Sequence, residues 1–188
     1  FTINMSEIFF TDMDIPRPIY NLHIESLPHG AMTGRMLEGI EKILVKENPD
    51  WVLVYGDTNS TLAGALAASK LHIKIAHVEA GLRSKNMKMP EEQNRILTDR
   101  LSTILFCPSD IAVKNLAKEG FNDLPISILN VGDVMFDAVQ YYSQRTRKPS
   151  WFDDIAISNE YALTTVHRAE NTDDPERLKN IVIALNKI

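Results

Sequence analysis

Short runs of consecutive apolar residues alternate along this chain with longer stretches in which apolar residues recur every three or four positions, each pair divided by a polar or glycine-containing turn. Strands buried inside a parallel sheet and amphipathic helices laid over it produce that alternation, so the pattern predicts an α/β fold. The first helix is predicted over residues 33–46, where Met36, Leu37, Ile40, Ile43 and Leu44 share a stripe and Arg35, Glu38, Glu41 and Lys42 face water. Asn48, Pro49 and Asp50 stop it. Residues 51–55 are continuously apolar, as a strand buried on both faces requires, and Gly56, Asp57, Thr58 and Asn59 then turn into an alanine-rich helix ending near Leu71.

The same unit then recurs. A strand over 73–78 leads into a loop over 79–89 rich in charge and methionine, and Pro90 suits the first position of the next helix. Glu91 and Glu92 fall in its first turn, and Ile96, Leu97 and Leu101 form its predicted apolar stripe. A strand over 103–106, a helix opening at Pro108, Ser109 and Asp110, a stop at Gly120, a strand over 126–131 and a helix through Phe136, Ala138, Val139 and Tyr142 follow. Regularity is lost over 143–159, although Ile155 and Ile157 are candidates for local packing. Beyond it a strand is predicted over 161–166, a loop over 167–171 and a helix over 174–187 with Leu178, Ile181, Val182 and Leu185 as its stripe. A short helix at 7–12 sits in otherwise irregular chain. The predicted organisation is a first domain over 1–143 without its first strand, a connection over 144–159 and the beginning of a second, truncated domain over 160–188.

Composition narrows the function classes. Of the 188 residues 44% are hydrophobic, enough to bury a sizeable core. The net charge of -5, with Lys and Arg scattered among acids, argues against nucleic acid as a partner. No apolar run approaches the roughly 18–20 residues of a membrane span, and no signal-peptide pattern opens the chain, so a cytoplasmic protein without a membrane partner is expected. The single cysteine, Cys107, closes an apolar run and reads as a small packed residue. The histidines show no metal-ligand spacing, and no glycine-rich phosphate loop or nucleophile elbow is present, so neither metal nor cofactor is expected.

In an open parallel sheet the carboxyl ends of the strands meet one crevice, and polar groups placed just after different strands converge there. Asp57, Glu79, Asp133 and His167 stand in such places, and Glu91 opens a helix after the loop that Glu79 begins. Acids and a histidine in one crevice would make an acid/base site with an anion clamp. Asp57 can equally cap the helix behind it, and Glu91 and Glu92 can simply oppose a helix dipole. Glu79 has no cap to make before Ala80 and Gly81, and a carboxylate buried there needs a partner. His167 and Arg168 suit a phosphate, whereas His23, His29 and His72 have no such placement.

Gly56-Asp57-Thr58, His77-Val78-Glu79-Ala80-Gly81-Leu82-Arg83, Met89-Pro90-Glu91-Glu92-Gln93-Asn94-Arg95 and His167-Arg168-Ala169-Glu170-Asn171, in this order, resemble the non-hydrolysing UDP-N-acetylglucosamine 2-epimerases along nearly the whole chain. The resemblance implies two Rossmann-like, doubly wound domains of the glycosyltransferase-B type facing each other across a cleft. It implies catalytic roles for Asp57, Glu79, Glu91 and His167 and substrate contacts from Arg83, Arg168 and Asn171. It further implies UDP-N-acetylglucosamine as the bound partner, a homodimer, a place in cell-surface polysaccharide precursor synthesis, and a reaction that expels UDP to a glycal and adds it back. Ala31-Met32 stands where close relatives carry Glu-Gln, and Gly132-Asp133 where Gly-Asn is usual. The family pattern also has a first strand with a glycine-arginine-proline loop before Phe1 and most of a nucleotide-binding domain after Ile188, so the 188 residues alone are expected not to epimerise. A hydrolysing 2-epimerase and a silent nucleotide-sugar-binding or structural module are the alternatives.

Overall fold

A computed structural model of the protein describes residues 7–24, 27–149, 152, 154 and 161–187. The chain divides into two compact units, Phe1–Thr146 and Arg147–Ile188. Ile155 and Ile157 lie outside the described residues.

In the first unit α1 (Glu7–Asp12) and α2 (His29–Glu47) precede four βα repeats: β1 (Trp51–Tyr55), α3 (Asn59–Lys70), β2 (Lys74–Val78), α4 (Pro90–Leu101), β3 (Ile104–Cys107), α5 (Asp110–Lys118), β4 (Ser127–Asn130) and α6 (Val134–Ser143). A 3-10 turn, Phe121–Asp123, joins α5 to β4. All strands are parallel, in the order β1-β2-β3-β4, with Trp51 opposite Lys74 and Tyr55 opposite Val78. Val54, His77 and Leu105 stand opposite one another across β1, β2 and β3 and meet Gly64 of α3, Asp99 of α4 and Leu116 of α5, so these three helices cover one face of the sheet. Helix α2 packs on α3, and α3 on α4.

Two apolar clusters form the core. Leu44, Val54, Ala65, Ala67, Ala68 and Ile75 join α2 and α3 to the sheet, and Ala80, Leu105, Cys107, Ala112, Leu116 and Phe121 join α5 to it. Small side chains bring α3 close: a Cβ on Gly64 would stand 3.3 Å from Val54 Cγ1. Burial of the apolar atoms supplies the main driving force, at about 25 cal/mol per Å².

Four expectations need correction. Helix α2 begins at His29, four residues early, since Pro28 fixes a suitable entry while the first turn carries no stripe to betray it. Strand β1 is not buried on both faces: it is an edge of the described sheet, and Trp51, Leu53 and Tyr55 are 42–60% exposed on the face that α2 and α3 leave uncovered. The buried face of α4 is polar, made of Glu92, Asn94, Arg95, Thr98 and Asp99, whereas Leu97 of the expected apolar stripe is half exposed. The strand expected over 161–166 does not form. A strand needs a neighbour to take its backbone hydrogen bonds, and the described residues of the second unit hold none.

That second unit contains α7 (Ala169–Thr172) and α8 (Pro175–Leu185), the latter capped by Asp174, whose carboxylate accepts from the Glu176 and Arg177 backbone N–H groups. Leu178 and Ile181 are its half-buried positions. Among the described residues no helix is long and apolar enough to cross a membrane.

Candidate active site

Strand β1 ends at Gly56, whose φ of +64° and N–H bond to Val78 O (3.0 Å) turn the chain sharply across the end of β2. The helix behind this turn is capped by Thr58, whose hydroxyl accepts from Thr61 N–H. Asp57 is therefore not the cap, and its carboxylate forms an ion pair with Arg95 of α4. Asn94 adds a second tie to the same turn, donating to Asp57 O at 2.9 Å and to Asn59 Oδ1 at 3.1 Å. Arg95 also pairs with Glu92 at 2.5 Å, and Glu92 accepts from the Ser84 and Lys85 N–H groups at 3.0 and 2.8 Å. One polar helix face thus pins both the Asp57 turn and the loop after β2.

Glu79 follows β2 in a left-handed conformation, φ +73°. Its carboxylate stands beside Gly56, where a Cβ would lie 3.3 Å from Oε2. Burial pushes its carboxyl above the usual range, the charges of Asp57 and Asp133 push it further, and Arg95 and His77 oppose them. Among the described residues no hydrogen-bond donor reaches it. Asp133 belongs to this acidic group while capping α6, through a bond from Met135 N–H at 2.8 Å. The carboxyl ends of β1, β2 and β4 therefore bring three acids within electrostatic reach, and a carboxyl raised in this way is better fitted to take up and return a proton than an ordinary carboxylate.

The other expected residues are placed differently. Glu91 is exposed on the first turn of α4, one residue from the buried Glu92. Beside that turn a cleft of about 520 Å³ runs between the starts of α2, α3 and α4, lined by His29, Thr33, Asn59, Pro90, Gln93 and Asn94. Arg83 is not presented to this cleft: it is 5% exposed and held by Asp99 at 2.8 Å and Glu119 at 2.7 Å. Among the described residues no cluster of His, Cys, Asp or Glu could hold a metal ion.

A family profile described as UDP-N-acetylglucosamine 2-epimerase matches residues 1–188. The chain belongs to the UDP-N-acetylglucosamine 2-epimerase family. It is 60% identical over 188 residues to the UDP-2,3-diacetamido-2,3-dideoxy-D-glucuronate 2-epimerase of Pseudomonas aeruginosa, covering 100% of this chain and 52% of that one. It is 50% identical over 189 residues to the UDP-N-acetylglucosamine 2-epimerase of Methanocaldococcus jannaschii, covering 98% and 51%. A crystal structure of the M. jannaschii UDP-GlcNAc 2-epimerase in complex with UDP-GlcNAc and UDP superposes with a TM-score of 0.88 at 49% identity, over 100% of this chain and 52% of that one. The chain spans about half the length of the curated relatives it matches. Its α/β, Rossmann-like parallel sheet is part of the glycosyltransferase-B-type fold of these epimerases.

Three of the family's motif residues lie in the second unit. His167 and Arg168 are exposed, and Arg168 takes φ +80°. Asn171 closes that turn, its side chain donating to His167 O at 3.1 Å and its N–H to Arg168 O at 2.9 Å. Asn171 thereby shapes the loop that displays His167 and Arg168.

The sequence offered Glu92 as a partner of the helix dipole and gave no role to Arg95, Asn94, His77 or Asp99. A usable signal existed: Glu92, Arg95 and Asp99 recur at i, i+3 and i+7, a polar stripe with helical spacing.

Proposed function

We propose that the full-length protein is a UDP-N-acetylglucosamine 2-epimerase that interconverts UDP-GlcNAc and UDP-ManNAc as a precursor step for cell-surface polysaccharide. The observation that carries this reading is Glu79, a carboxyl raised by burial and by Asp57 and Asp133, without a donor among the described residues. Inversion at C2 needs one group to take the C2 proton and another to return one to the opposite face. As the C2–H bond breaks, the C1–O bond to UDP breaks with it, the diphosphate leaves with the electron pair, and a glycal remains. Protonation at C2 from the other face and return of the UDP oxygen to C1 complete the balance. Glu79, Asp57 and Glu91 are the carboxyl groups we assign to these transfers, and His167 and Arg168 the cations for the departing diphosphate. Arg83 supports the Glu79 turn from behind, and Asn171 shapes the cationic loop. No metal or cofactor enters this scheme, and the protein acts as a cytoplasmic homodimer.

The 60% identity to the P. aeruginosa relative, against 50% to the M. jannaschii one, favours a second reading. In it the same C2 chemistry is applied to UDP-2,3-diacetamido-2,3-dideoxy-D-glucuronate. The experiment is to incubate the full-length enzyme with each nucleotide sugar in D2O and follow C2 by NMR. Deuterium at C2 with UDP-sugar conserved supports epimerisation, and the higher kcat/KM names the sugar. Net release of UDP and free N-acetylmannosamine would establish the hydrolysing reaction instead, and no exchange with either sugar would overturn the reading.

A further inference from the structure

The side chain of His77 leaves β2 on the covered face and is wholly buried, as is Asp99 of α4. Neither can touch a substrate. Yet His77 Nε2 lies 2.8 Å from Gly56 O. A carbonyl only accepts, so Nε2 carries the proton. On the other side of the ring, Nδ1 lies 2.8 Å from Asp99 Oδ1. The second oxygen of Asp99 accepts from Gly81 N–H at 3.2 Å and from Arg83 at 2.8 Å.

This pair therefore ties together two backbone turns. Gly56 immediately precedes Asp57, and Gly81 follows Glu79 by two residues. Both turns are built from left-handed residues, Gly56 at +64°, Glu79 at +73° and Gly81 at +77°. The two glycines adopt this region freely, whereas at the non-glycine Glu79 it persists only where the surroundings over-determine it. Gly81 is also seated against α5, where a Cβ would meet Ala112 O at 2.6 Å. The backbone bond from Gly56 N–H to Val78 O makes the connection from the β1 side, and His77 with Asp99 makes it through side chains.

We propose that His77 and Asp99 are positioning residues that hold the Asp57 turn and the Glu79 turn in one rigid frame, fixing the placement of the two carboxyl groups relative to each other. The role rests on the epimerase reading given above. Misplacement of a catalytic group by about 1 Å can cost on the order of 100-fold in rate, so loosening the frame should appear in kcat.

Two amide substitutions divide the contacts of His77. In His77→Gln the amide nitrogen stands near the place of Nε2 and can keep the bond to Gly56 O. In His77→Asn it stands near the place of Nδ1 and keeps only Asp99. The test is made in the full-length enzyme, with kcat and KM measured for the active sugar nucleotide and the folded fraction measured at the assay temperature. Per folded molecule, we expect kcat to fall about 10-fold in His77→Gln and about 100-fold in His77→Asn, with KM little changed. Values of kcat within about threefold of wild type in both, or losses that track the folded fraction alone, would overturn the role. A wild-type measurement guards against variants that do not fold. In nitrogen-15 NMR the Nε2 proton of His77 should be visible, slow to exchange and coupled to the Gly56 carbonyl, and a ring without that proton overturns the frame. Absence of C2 exchange in the wild type would defeat the epimerase reading itself, whereas exchange in the wild type with unaltered kcat in the variants defeats only the positioning role.

Discussion

Glu79 holds its carboxylate against Gly56, so that a Cβ on the glycine would stand 3.3 Å from Oε2. The glycine thus provides both a left-handed turn and the room for an acid. Gly56→Ala should lose about 1–2 kcal/mol of stability from the strained φ of +64°, and about 10-fold in kcat because the crowded carboxylate shifts. Gly120→Ala is the control: its φ is +78° but nothing lies within 4 Å of the added atom. It should show the stability loss in urea unfolding and keep its kcat.

A carboxyl raised by its surroundings is a burden on the fold. The folded pKa of Glu79 lies above the unfolded one, so its contribution to stability is fully present below the unfolded value, about 4.3, and is lost as pH rises through the folded value. Glu79→Gln removes the charge that is penalised. At pH 7–8 the variant should be more stable than wild type, with the advantage closing as the pH falls towards 4. Melting curves across pH check this, and C2 exchange in the same variant should fall at least about 100-fold.

Arg95 is the shared partner of Asp57 and Glu92. Arg95→Met should destabilise by about 3–5 kcal/mol, because Glu92 is left buried and charged. Arg95→Met combined with Glu92→Leu should recover a large part, as a double-mutant cycle in urea would show. Burial tends to raise the Glu92 carboxyl, but the Ser84 and Lys85 N–H groups and Arg95 outweigh it and hold it below the usual range. Its stabilisation is present above about pH 4.3 and lost as the pH falls through the folded value. Glu92→Gln should flatten that acid limb of the stability curve.

Burial pushes the Cys107 thiol up to about 11, with Asp99 adding to the rise and Arg83 opposing it. Its side chain is packed between β3 and α5. Titration with a thiol reagent at pH 8 should therefore show native protein reacting at least about 100-fold more slowly than protein in urea.

The strands and most helices were legible because burial acts on local periodicity: β1 to β4 and α3 to α6 stand within a few residues of the pattern that marks them. The polar face of α4 was not, because a stripe rule that weighs only apolar residues assigns Leu97 to the core and Arg95 to water. The strand expected over 161–166 failed for another reason, since a β-rich run cannot announce whether a partner exists for its backbone. At the site, Glu79 was legible as a carboxylate placed after a buried strand with no cap to make. Asp57 was ambiguous until Thr58 took the cap. His77 was silent, since one histidine between Ala76 and Val78 reads as a tolerated core residue, and only the position of Gly56 O gives it a task.

The charges gathered behind the site, Arg83 between Asp99 and Glu119 and Arg95 between Asp57 and Glu92, also bear on how such a protein can change over generations. Removing Arg83 or Arg95 leaves a buried carboxylate, Asp99 or Glu92, without its arginine, so either replacement alone is a step downhill in fitness even when a paired replacement would be neutral. A lineage must therefore cross a valley to leave this arrangement, whereas exposed Leu97 and Ile111 on the outer sides of α4 and α5 are free to drift one at a time. The history recorded in these two helices should be that of a linked block on the inner face and of independent sites on the outer one.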